Sequence, residues 1–474
     1  MQRIPPPFAR ALVVAVALLA AAGAPTAAQT VDPQGAPEGV PPPTSRELSD
    51  IEMQARQILT AGTLERNQVM ARLVDRGNTD VVPALIQSLR FMRQDPWTIA
   101  NALQALTGEE IGNSWHEWIL WQEDHPELKP FEGFAEYKAW VLSQIDPNFR
   151  LFLQDGIAHD IRIEEIVWGG VRKDGIPALV NPKLIPPTVA DYLTPDELVF
   201  GVAINGDVRA YPLRILDWHE MFNDVIGGVP VALAYCTLCG SGILYETTVD
   251  GRDKPFVFGS SGFLYRSNKL MYDRETNSLW NQFTGAPVVG KLTGSGIELR
   301  TRPVAITTWG NWLAKHPETK VLSLDTGYSR DYSPGRPYGE YFASPQTMFP
   351  VQVTDTRLAT KSYVYALRDA AVEKAWALSL FDGGAVINDT AGETPVVLIG
   401  DAATRTVRAY AAKGRRFTAA SDNPDIVRSD GSDWRVTEDA LISSAGETLE
   451  RLAGHIAFWF AWQNFKPNAR VRVE

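Results

Sequence analysis

An internal repeat constrains the fold of this 474-residue chain more than any other feature. The stretch DVRAYPLRILDWHEMFNDVIGGVPVAL, residues 207–233, aligns without a gap with VEKAWALSLFDGGAVINDTAGETPVVL, residues 372–398, at an offset of 165. Further along, the tryptophans of TWGNWLAKHP align with those of FWFAWQNFKP. Such self-similarity indicates that one structural unit occurs twice in the chain. Residues kept in both copies are then expected to be structural, and residues kept in one copy are candidates for function.

The local pattern of the repeated region predicts β-strands with short helices. Runs such as LVFGVAIN, VPVALAYC and FVFGS cluster β-forming residues between glycine, aspartate and proline breaks. We therefore expect a β-rich α+β fold, with a first copy at 149–349 and a second, degenerate copy at 350–474. Both copies contain an Asn-Asp pair, at 223–224 and 388–389, whose short side chains are expected to serve a turn or a helix cap.

The region before the repeat has a different pattern. Between residues 46 and 148 apolar residues recur at helical spacing, for example Ile51, Ala55 and Ile58. Polar breaks such as DRGNTD divide this region into helical hairpins, which predicts a small all-α module similar to HEAT repeats. The module could bind a protein partner, or it could be a helical cap packed on the first copy. Residues 29–45 are rich in proline and glycine and predict a linker.

The N-terminus predicts export. Arg3 and Arg10 precede an apolar run, and small residues follow up to Ala28. This order is typical of a secretory signal peptide, residues 1–28, and the apolar run is shorter than the roughly 20 residues of a membrane span. We expect a soluble exported protein, periplasmic or extracellular, with no membrane span in the mature chain. Loss of the two arginines would take the net charge from −11 to −13, which argues against a nucleic-acid partner.

The two cysteines of the chain form a Cys-x-x-Cys pair. Cys236 and Cys239 are followed by glycine, and at the offset of 165 they face Asp401 and Thr404. His219 has no counterpart in the second copy either. Because the second copy lacks all three residues, we expect any chemistry to lie in the first copy. The alignment also gives the first copy six extra residues around the Cys-x-x-Cys pair and five in SSGFLYRSNKLMYDR.

Metal binding is the leading hypothesis for these residues. Two thiolates on a tight turn and the imidazole of His219 are ligands that zinc accepts, although a closed zinc site needs a fourth ligand. Copper(I) accepts fewer and softer ligands, so Cys236, Cys239, His219 and Met271 form a chemically sensible set in an exported protein. Met271, beside Leu270, also fits a place in the apolar core.

Three charged residues are candidates for catalysis, although the sequence leaves open whether the chain is an enzyme. Glu220 follows His219 and could act as a general base beside a metal-bound water. Asp273 and Arg274 suit either a substrate site or a structural ion pair. The sequence contains no GxSxG elbow, no phosphate-binding glycine loop and no dinucleotide fingerprint. We therefore expect no nucleotide cofactor.

Two alternatives to metal binding remain open. A Cys-x-x-Cys pair can exchange disulfides when one thiolate is stabilised by a helix N-terminus or a cation, but no helix start is evident at these cysteines. The pair could instead form a structural disulfide that stiffens its turn in an oxidising compartment. In that case the protein would be an interaction scaffold.

Four stretches of the chain resemble, in order and spacing, the family catalogued as domain of unknown function 3179. They are IEEIVWGGVRKDGIPAL, RAYPLRILDWHEMFNDVIGGVPVALAYCTLCGSG, SSGFLYRSNKLMYDRETNSLWNQFTG and VLSLDTGYSRDY. The resemblance runs from about residue 160 to 349 and more loosely to the C-terminus. It marks His219, Glu220, the two cysteines and residues 271–274 as characteristic of the family, and it implies no particular reaction.

Overall fold

The computed structural model describes residues 39–92, 94–369, 372–420, 423–466 and 470–474. The expected signal peptide, 1–28, and most of the expected linker, 29–45, lie outside the described residues. Within the described ranges, no helix combines the length and the apolar character that a membrane crossing requires.

The region before the repeat is helical, as its periodicity predicts. Ser49 caps the first helix by accepting a hydrogen bond from the backbone N–H of Glu52, and Gly77 ends the second helix in the left-handed conformation. The apolar faces of the helices meet in one core. The helices of this module are α1 (Asp50–Thr60), α2 (Thr63–Arg76), α3 (Val82–Phe91), α4 (Pro96–Thr107), α5 (Trp115–Asp124) and α6 (Phe134–Ser143).

The repeated region is built from β-strands and short helices, which confirms the α+β prediction. The strands of the first copy are β1 (Ile166–Trp168), β2 (Leu179–Val180), β3 (Leu184–Ile185), β4 (Leu198–Ile204), β5 (Asp207–Pro212), β6 (Met221–Ile226), β7 (Val229–Cys236), β8 (Ser241–Glu246), β9 (Phe258–Tyr265), β10 (Asn268–Asp273), β11 (Leu279–Asn281), β12 (Pro287–Val289), β13 (Thr301–Arg302), β14 (Ala305–Thr308) and β15 (Lys320–Leu322). The strands of the second copy are β16 (Tyr363–Asp369), β17 (Val372–Ala377), β18 (Ala385–Ala391), β19 (Thr394–Asp401), β20 (Thr406–Ala411), β21 (Thr418–Ala419), β22 (Ile426–Ser429), β23 (Ser432–Val436), β24 (Ala440–Ser443), β25 (Thr448–Leu452), β26 (Gly454–Phe458) and β27 (Arg470–Arg472). The helices of this region are α7 (Leu213–His219), α8 (Trp309–Lys315), α9 (Gly339–Ala343) and α10 (Trp459–Phe465).

The two copies share one sheet topology. In the first copy β14, β4, β5 and β15 lie side by side, and in the second copy β26, β16, β17 and β27 follow the same order. In each copy the last of these strands pairs in parallel with its neighbour, whereas the other pairs are antiparallel. This agreement supports the internal duplication that the sequence predicts.

The conserved Asn-Asp pair has a structural role, but not the turn or cap that we expected. Asn223 lies in β6 and bonds both backbone groups of Phe258, at 3.0 and 2.8 Å. Asn388 lies in β18 and bonds both backbone groups of Phe417, each at 2.7 Å. The prediction of a turn was wrong because both side chains act from the middle of a strand. Asn223 links β6 to β9 in another sheet, whereas Asn388 links β18 to the residue before β21, at the opposite edge of the same eight-stranded sheet.

The structure also corrects the position of six extra residues in the first copy. Cys236 pairs with Ser241 across the β7–β8 turn, and Asp401 pairs with Thr406 across the β19–β20 turn, so the two turns are equally long. The extra residues therefore fall after β8, in the connection to β9. The other predicted insertion is confirmed, since the hairpin β9–β10 is longer than its counterpart β21–β22.

The helical module shares its core with the first copy. Phe149, which follows α6, places its ring 4.5 Å from the ring of Phe263 in β9. Tyr272 and Val289 of the first copy belong to the same apolar cluster as the helices. The module therefore packs as a cap on the sheet that contains the long β9–β10 hairpin.

Candidate functional site

The Cys-x-x-Cys pair forms the turn between β7 and β8. Cys236 and Cys239 are joined as a disulfide, with their Cα atoms 5.2 Å apart. The backbone N–H of Cys239 donates to the carbonyl oxygen of Cys236 at 3.2 Å, which closes the turn. Both cysteines are buried, at 2% and 0% exposure. Of the four residues 236–239, only Leu238 is not fully buried.

The second copy makes the same turn without sulfur. Gly240 and Arg405 occupy equivalent positions, and both have left-handed backbone angles, with φ of 58° and 55°. In the second copy the carboxylate of Asp401 accepts a hydrogen bond from the backbone N–H of Ala403 at 2.9 Å. Hydrogen bonds therefore suffice to close this turn, so its shape alone does not explain the cysteines.

A polar network inside the core contacts the disulfide. Asn268, fully buried at the start of β10, places Nδ2 3.2 Å from Sγ of Cys239 and 2.7 Å from Oε1 of Gln282. Gln282 in turn donates to the backbone oxygen of Ala234 in β7 at 2.8 Å. Oδ1 of Asn268 has no hydrogen-bond partner in the described part of the chain. A buried acceptor without a partner is unusual and marks this amide for explanation.

A buried ion pair lies on the other side of the turn. Nζ of Lys269, the residue after Asn268, lies 3.0 Å from Oε2 of Glu220. Thr237, between the two cysteines, donates to Oε1 of the same carboxylate at 3.0 Å, and Tyr338 donates to it at 3.1 Å. Glu220 itself follows α7 in the left-handed conformation. The carboxylate thus connects the Cys-x-x-Cys turn to the ammonium group of Lys269.

Both ring nitrogens of His219 lie within hydrogen-bond distance of groups other than the two sulfurs. Its Nδ1 lies 2.8 Å from the carbonyl oxygen of Pro177, and its Nε2 lies 2.6 Å from the hydroxyl of Tyr332. The first contact requires a proton on Nδ1, so Nε2 accepts the hydrogen bond from Tyr332. Burial lowers the pKa of His219 to about 4, which keeps the imidazole neutral at neutral pH.

Tyr332 belongs to a segment that covers this face, which we call the strap, residues 323–349. Trp218 donates from its indole N–H to the carbonyl oxygen of Asp331 at 2.7 Å. Tyr341 donates to the carbonyl oxygen of Leu238 at 2.7 Å. The strap is therefore fastened at one end to α7 and at the other end to the Cys-x-x-Cys turn.

The predicted convergence of His219, Cys236, Cys239 and Met271 on one metal ion is not supported. Among the residues that the structure describes, no group of three or more His, Cys, Asp and Glu side chains is placed to hold a metal ion. The two sulfurs bond to each other, and both nitrogens of His219 are already hydrogen-bonded. Met271 lies in β10 and belongs to the apolar cluster that includes both cysteines. The donor set in this arrangement does not fit copper(I) or zinc.

Two of the three candidate catalytic residues serve the local fold. The carboxylate of Asp273 accepts hydrogen bonds from the backbone N–H of Thr276 at 2.6 Å and from the indole of Trp280 at 3.0 Å. Arg274 pairs with Asp174 at 3.0 Å. Glu220 is the candidate that contacts the Cys-x-x-Cys turn. Sequence reasoning missed Asn268 and Lys269, although both lie in the hairpin that it identified as an insertion.

Comparison with known proteins places the chain in a family but assigns it no activity. A family model described as a protein of unknown function (DUF3179) matches residues 173–469, which is more than half of the chain. No curated protein matches the chain. No solved structure matches it. The matched region contains the Cys-x-x-Cys turn, the strap and most of both copies, and on this evidence the chain belongs to the DUF3179 family.

Proposed function

We propose that this chain is an exported thiol–disulfide protein in which Cys236 and Cys239 alternate between disulfide and dithiol. When a partner disulfide oxidises the dithiol, the partner's S–S bond breaks and the bond between Cys236 and Cys239 forms. The two thiol protons then reside on the partner's sulfurs, and two electrons pass to the partner. A dithiol partner drives the reverse step.

The observation that carries this proposal is the hydrogen bond from Asn268 to Sγ of Cys239. Disulfide sulfur is a weak acceptor, whereas a thiolate accepts strongly, so the amide stabilises the reduced form more than the oxidised form. Sγ of Cys239 also lies 3.4 Å from the carbonyl oxygen of Ser267, which can accept a hydrogen bond from the S–H group once the disulfide is reduced. Asn268 lies in the long β9–β10 hairpin that distinguishes the first copy. The second copy, whose hairpin is shorter, closes the turn equivalent to Cys-x-x-Cys without cysteine.

The buried ion pair supplies the second requirement of thiol chemistry, a proton acceptor close to the turn. The Glu220 carboxylate contacts Thr237 between the cysteines, and its charge is balanced by Lys269. The two cysteines lie at the hairpin turn between β7 and β8 rather than at a helix N-terminus, so no helix dipole is available to stabilise a thiolate. Fixed polar groups from β10 take that role in our proposal.

The strap limits access to the sulfurs. Its Tyr341 is bonded to the backbone of Leu238, and its Tyr338 is bonded to Glu220. Because both cysteines are buried, exchange with a partner requires the strap to lift from the turn. We therefore treat the described arrangement as the protected, oxidised form.

Reduction under native conditions tests the proposal. Protein treated with dithiothreitol is expected to expose two alkylatable thiols while its near-ultraviolet circular dichroism stays native, since the second copy closes the same turn without a disulfide. Removal of the reductant in air should restore the disulfide. A disulfide that is reduced only when the protein unfolds would instead support the structural clip of an interaction scaffold.

Metal content separates the proposal from the copper(I) or zinc hypothesis. That hypothesis requires the cysteines to be reduced and His219 to be released from Tyr332. Elemental analysis of the reduced protein, with His219→Ala as the comparison, tests it. Stoichiometric copper or zinc that disappears in the variant would favour the metal site over thiol–disulfide exchange.

Export is the remaining part of the proposal. A disulfide persists in oxidising compartments outside the cytosol, which agrees with the expected signal peptide. Cleavage after Ala28 predicts that N-terminal sequencing of the exported protein begins at Gln29. A mature chain that retains residues 1–28 would contradict this part without affecting the redox step.

A further inference from the structure

Gln282, the residue after β11, is fully buried and contacts β7, β8 and β10. Its Nε2 donates to two backbone carbonyl oxygens, that of Ala234 in β7 at 2.8 Å and that of Ser241 in β8 at 3.2 Å. Because a carbonyl oxygen can only accept a hydrogen bond, these contacts hold the NH2 group of Gln282 on their side. Oε1 of Gln282 must then point the other way, towards Asn268.

The direction of the Gln282 amide sets the direction of the Asn268 amide. Oε1 of Gln282 accepts a hydrogen bond from Nδ2 of Asn268 at 2.7 Å, and the same nitrogen donates to Sγ of Cys239 at 3.2 Å. Oδ1 of Asn268 has no partner among the residues that the structure describes, so no bond on the oxygen side contributes to this orientation. Since disulfide sulfur is a weak acceptor, the bond to Gln282 is the stronger of the two.

A turned Asn268 amide would reverse the effect on the sulfur. Rotation of the amide by 180° would place Oδ1 where Nδ2 now lies, 2.7 Å from Oε1 of Gln282 and 3.2 Å from Sγ of Cys239. Two acceptor oxygens at that distance repel each other, and an oxygen beside the sulfur would oppose a thiolate instead of stabilising it. Gln282 therefore excludes the orientation that disfavours the thiolate.

The second copy shows that the repeated fold does not require an amide at this position. Counting from the aligned tryptophans Trp280 and Trp434, the residue equivalent to Gln282 is Val436. Val436 is buried in an apolar cluster of the copy that has no cysteine. A buried amide needs hydrogen-bond partners, whereas a valine does not. The difference between the copies thus links the amide of Gln282 to the disulfide.

We propose that Gln282 is a positioning residue for thiol–disulfide exchange, which fixes the Asn268 amide so that an N–H group and not Oδ1 faces Sγ of Cys239. The backbone carbonyls of β7 and β8 set the direction, and Gln282 transmits it to β10. This inference rests on the proposed thiol–disulfide function. It adds a residue that acts on the sulfur through Asn268.

Gln282→Met tests the proposal, because methionine is unbranched like glutamine but has no amide. We expect the pKa of the reduced Cys239 thiol to rise by about one unit, and the equilibrium with dithiothreitol to move about tenfold towards the disulfide. Gln282→Glu should recover most of the wild-type behaviour, since a buried carboxylic acid is protonated and keeps one donor and one acceptor. Gln122→Met, which replaces a buried glutamine of α5, is the matched control.

The double variant Asn268→Leu/Gln282→Met separates positioning from a purely structural role. If Gln282 acts through Asn268, adding Gln282→Met to Asn268→Leu changes neither the pKa nor the equilibrium further. Equal shifts in both backgrounds, or no shift in a Gln282→Met protein that melts like the wild type, would overturn the proposal. A wild type that forms no native dithiol would instead overturn the proposed function, and this inference with it.

A measurement on the wild type covers the case in which Gln282→Met does not fold. The side-chain NH2 protons of Asn268 are identified in nuclear magnetic resonance spectra by their absence in Asn268→Leu. We expect them to exchange slowly with water in the oxidised and the reduced protein, and to shift as the Cys239 thiol titrates. Rapid exchange after reduction would show that the amide leaves its contacts when the disulfide opens, and would overturn the proposal.

Discussion

The side-chain N–H of Asn268 points at Sγ of Cys239 from 3.2 Å, and no other side-chain nitrogen among the described residues donates to this sulfur. We expect Asn268→Leu to raise the pKa of the Cys239 thiol by about one unit, because a hydrogen bond to a charged group contributes roughly 1.5–3 kcal/mol. Alkylation rates of the reduced protein as a function of pH measure this pKa. Asn311→Leu, on the exposed surface of α8, is the control and should leave the rates unchanged.

The ion pair between Lys269 and Glu220 should dominate the stability of the site. Lys269→Met leaves a buried carboxylate without its cation and is expected to lower the free energy of unfolding by about 3–5 kcal/mol. Adding Glu220→Gln removes the stranded charge and should recover much of this loss. Chemical denaturation measures both effects.

Lys183→Met provides the control for that comparison. Lys183 pairs with Asp325 at the surface, where both side chains are more than half exposed. Its removal should change the free energy of unfolding by less than about 1 kcal/mol. A loss at Lys269 no larger than the loss at Lys183 would show that the buried pair is not important for stability.

The pair Asn223–Phe258 and its repeat Asn388–Phe417 should stabilise both copies. Each asparagine bonds two backbone groups, so Asn223→Leu and Asn388→Leu are each expected to cost about 2 kcal/mol or more. The cost should be larger at Asn223, which is the more buried of the two. Chemical denaturation of both variants tests whether the loss is larger at Asn223. No change in the free energy of unfolding for either variant would show that the hydrogen bonds of that asparagine are dispensable.

The strap should loosen in acid because His219 must be neutral to accept the hydrogen bond of Tyr332. Burial lowers the pKa of His219 from 6.5 to about 4, so the unfolded chain binds this proton more readily than the folded chain. The stability from this group is complete above pH 6.5 and is lost as the pH falls towards 4, by about 3 kcal/mol. Imidazole proton shifts in nuclear magnetic resonance report the pKa directly, and a value near 6.5 would contradict the burial of His219 under the strap.

A second histidine contributes to the same pH range. Burial lowers the pKa of His455 to about 3, so protonation of this group on unfolding also lowers the free energy of unfolding as the pH falls. Plots of the free energy of unfolding against pH for the wild type and for His219→Asn should therefore converge at acid pH. The decline that the variant still shows should come from His455 and other titrating groups. Curves that stay parallel from pH 7 to pH 4 would show that His219 does not titrate on unfolding.

The sequence predicted the architecture well because the repeat supplied an internal comparison. The helical module, the β-rich copies and the structural role of Asn223 and Asn388 follow from periodicity and from the aligned residues. The six-residue insertion was misplaced because identical residues bracket it only at Leu233 and Phe258, so the alignment could not position the gap between them.

The composition of the site was harder to predict than its position. The alignment identified the first copy and its long hairpin. It could not identify Asn268 and Glu220 as contacts of the Cys-x-x-Cys turn, because those contacts depend on how β10 and the end of α7 pack against the turn. His219 shares the first copy with the cysteines, yet its nitrogens bond to Pro177 and to the strap. A sequence pattern gives no direction for a ring, and the metal hypothesis therefore assumed a convergence that the hydrogen bonds of His219 do not support.

The reduction potential of Cys236–Cys239 tests the central claim most directly. The protein is equilibrated with dithiothreitol buffers of defined ratio, and free thiols are trapped by alkylation and counted by mass spectrometry. We predict one two-electron transition above about −300 mV, which Asn268→Leu shifts by about 30 mV to more negative potential because the reduced form loses its hydrogen bond. A potential below about −300 mV that is identical in the wild type and the variant would identify a structural disulfide and contradict the account.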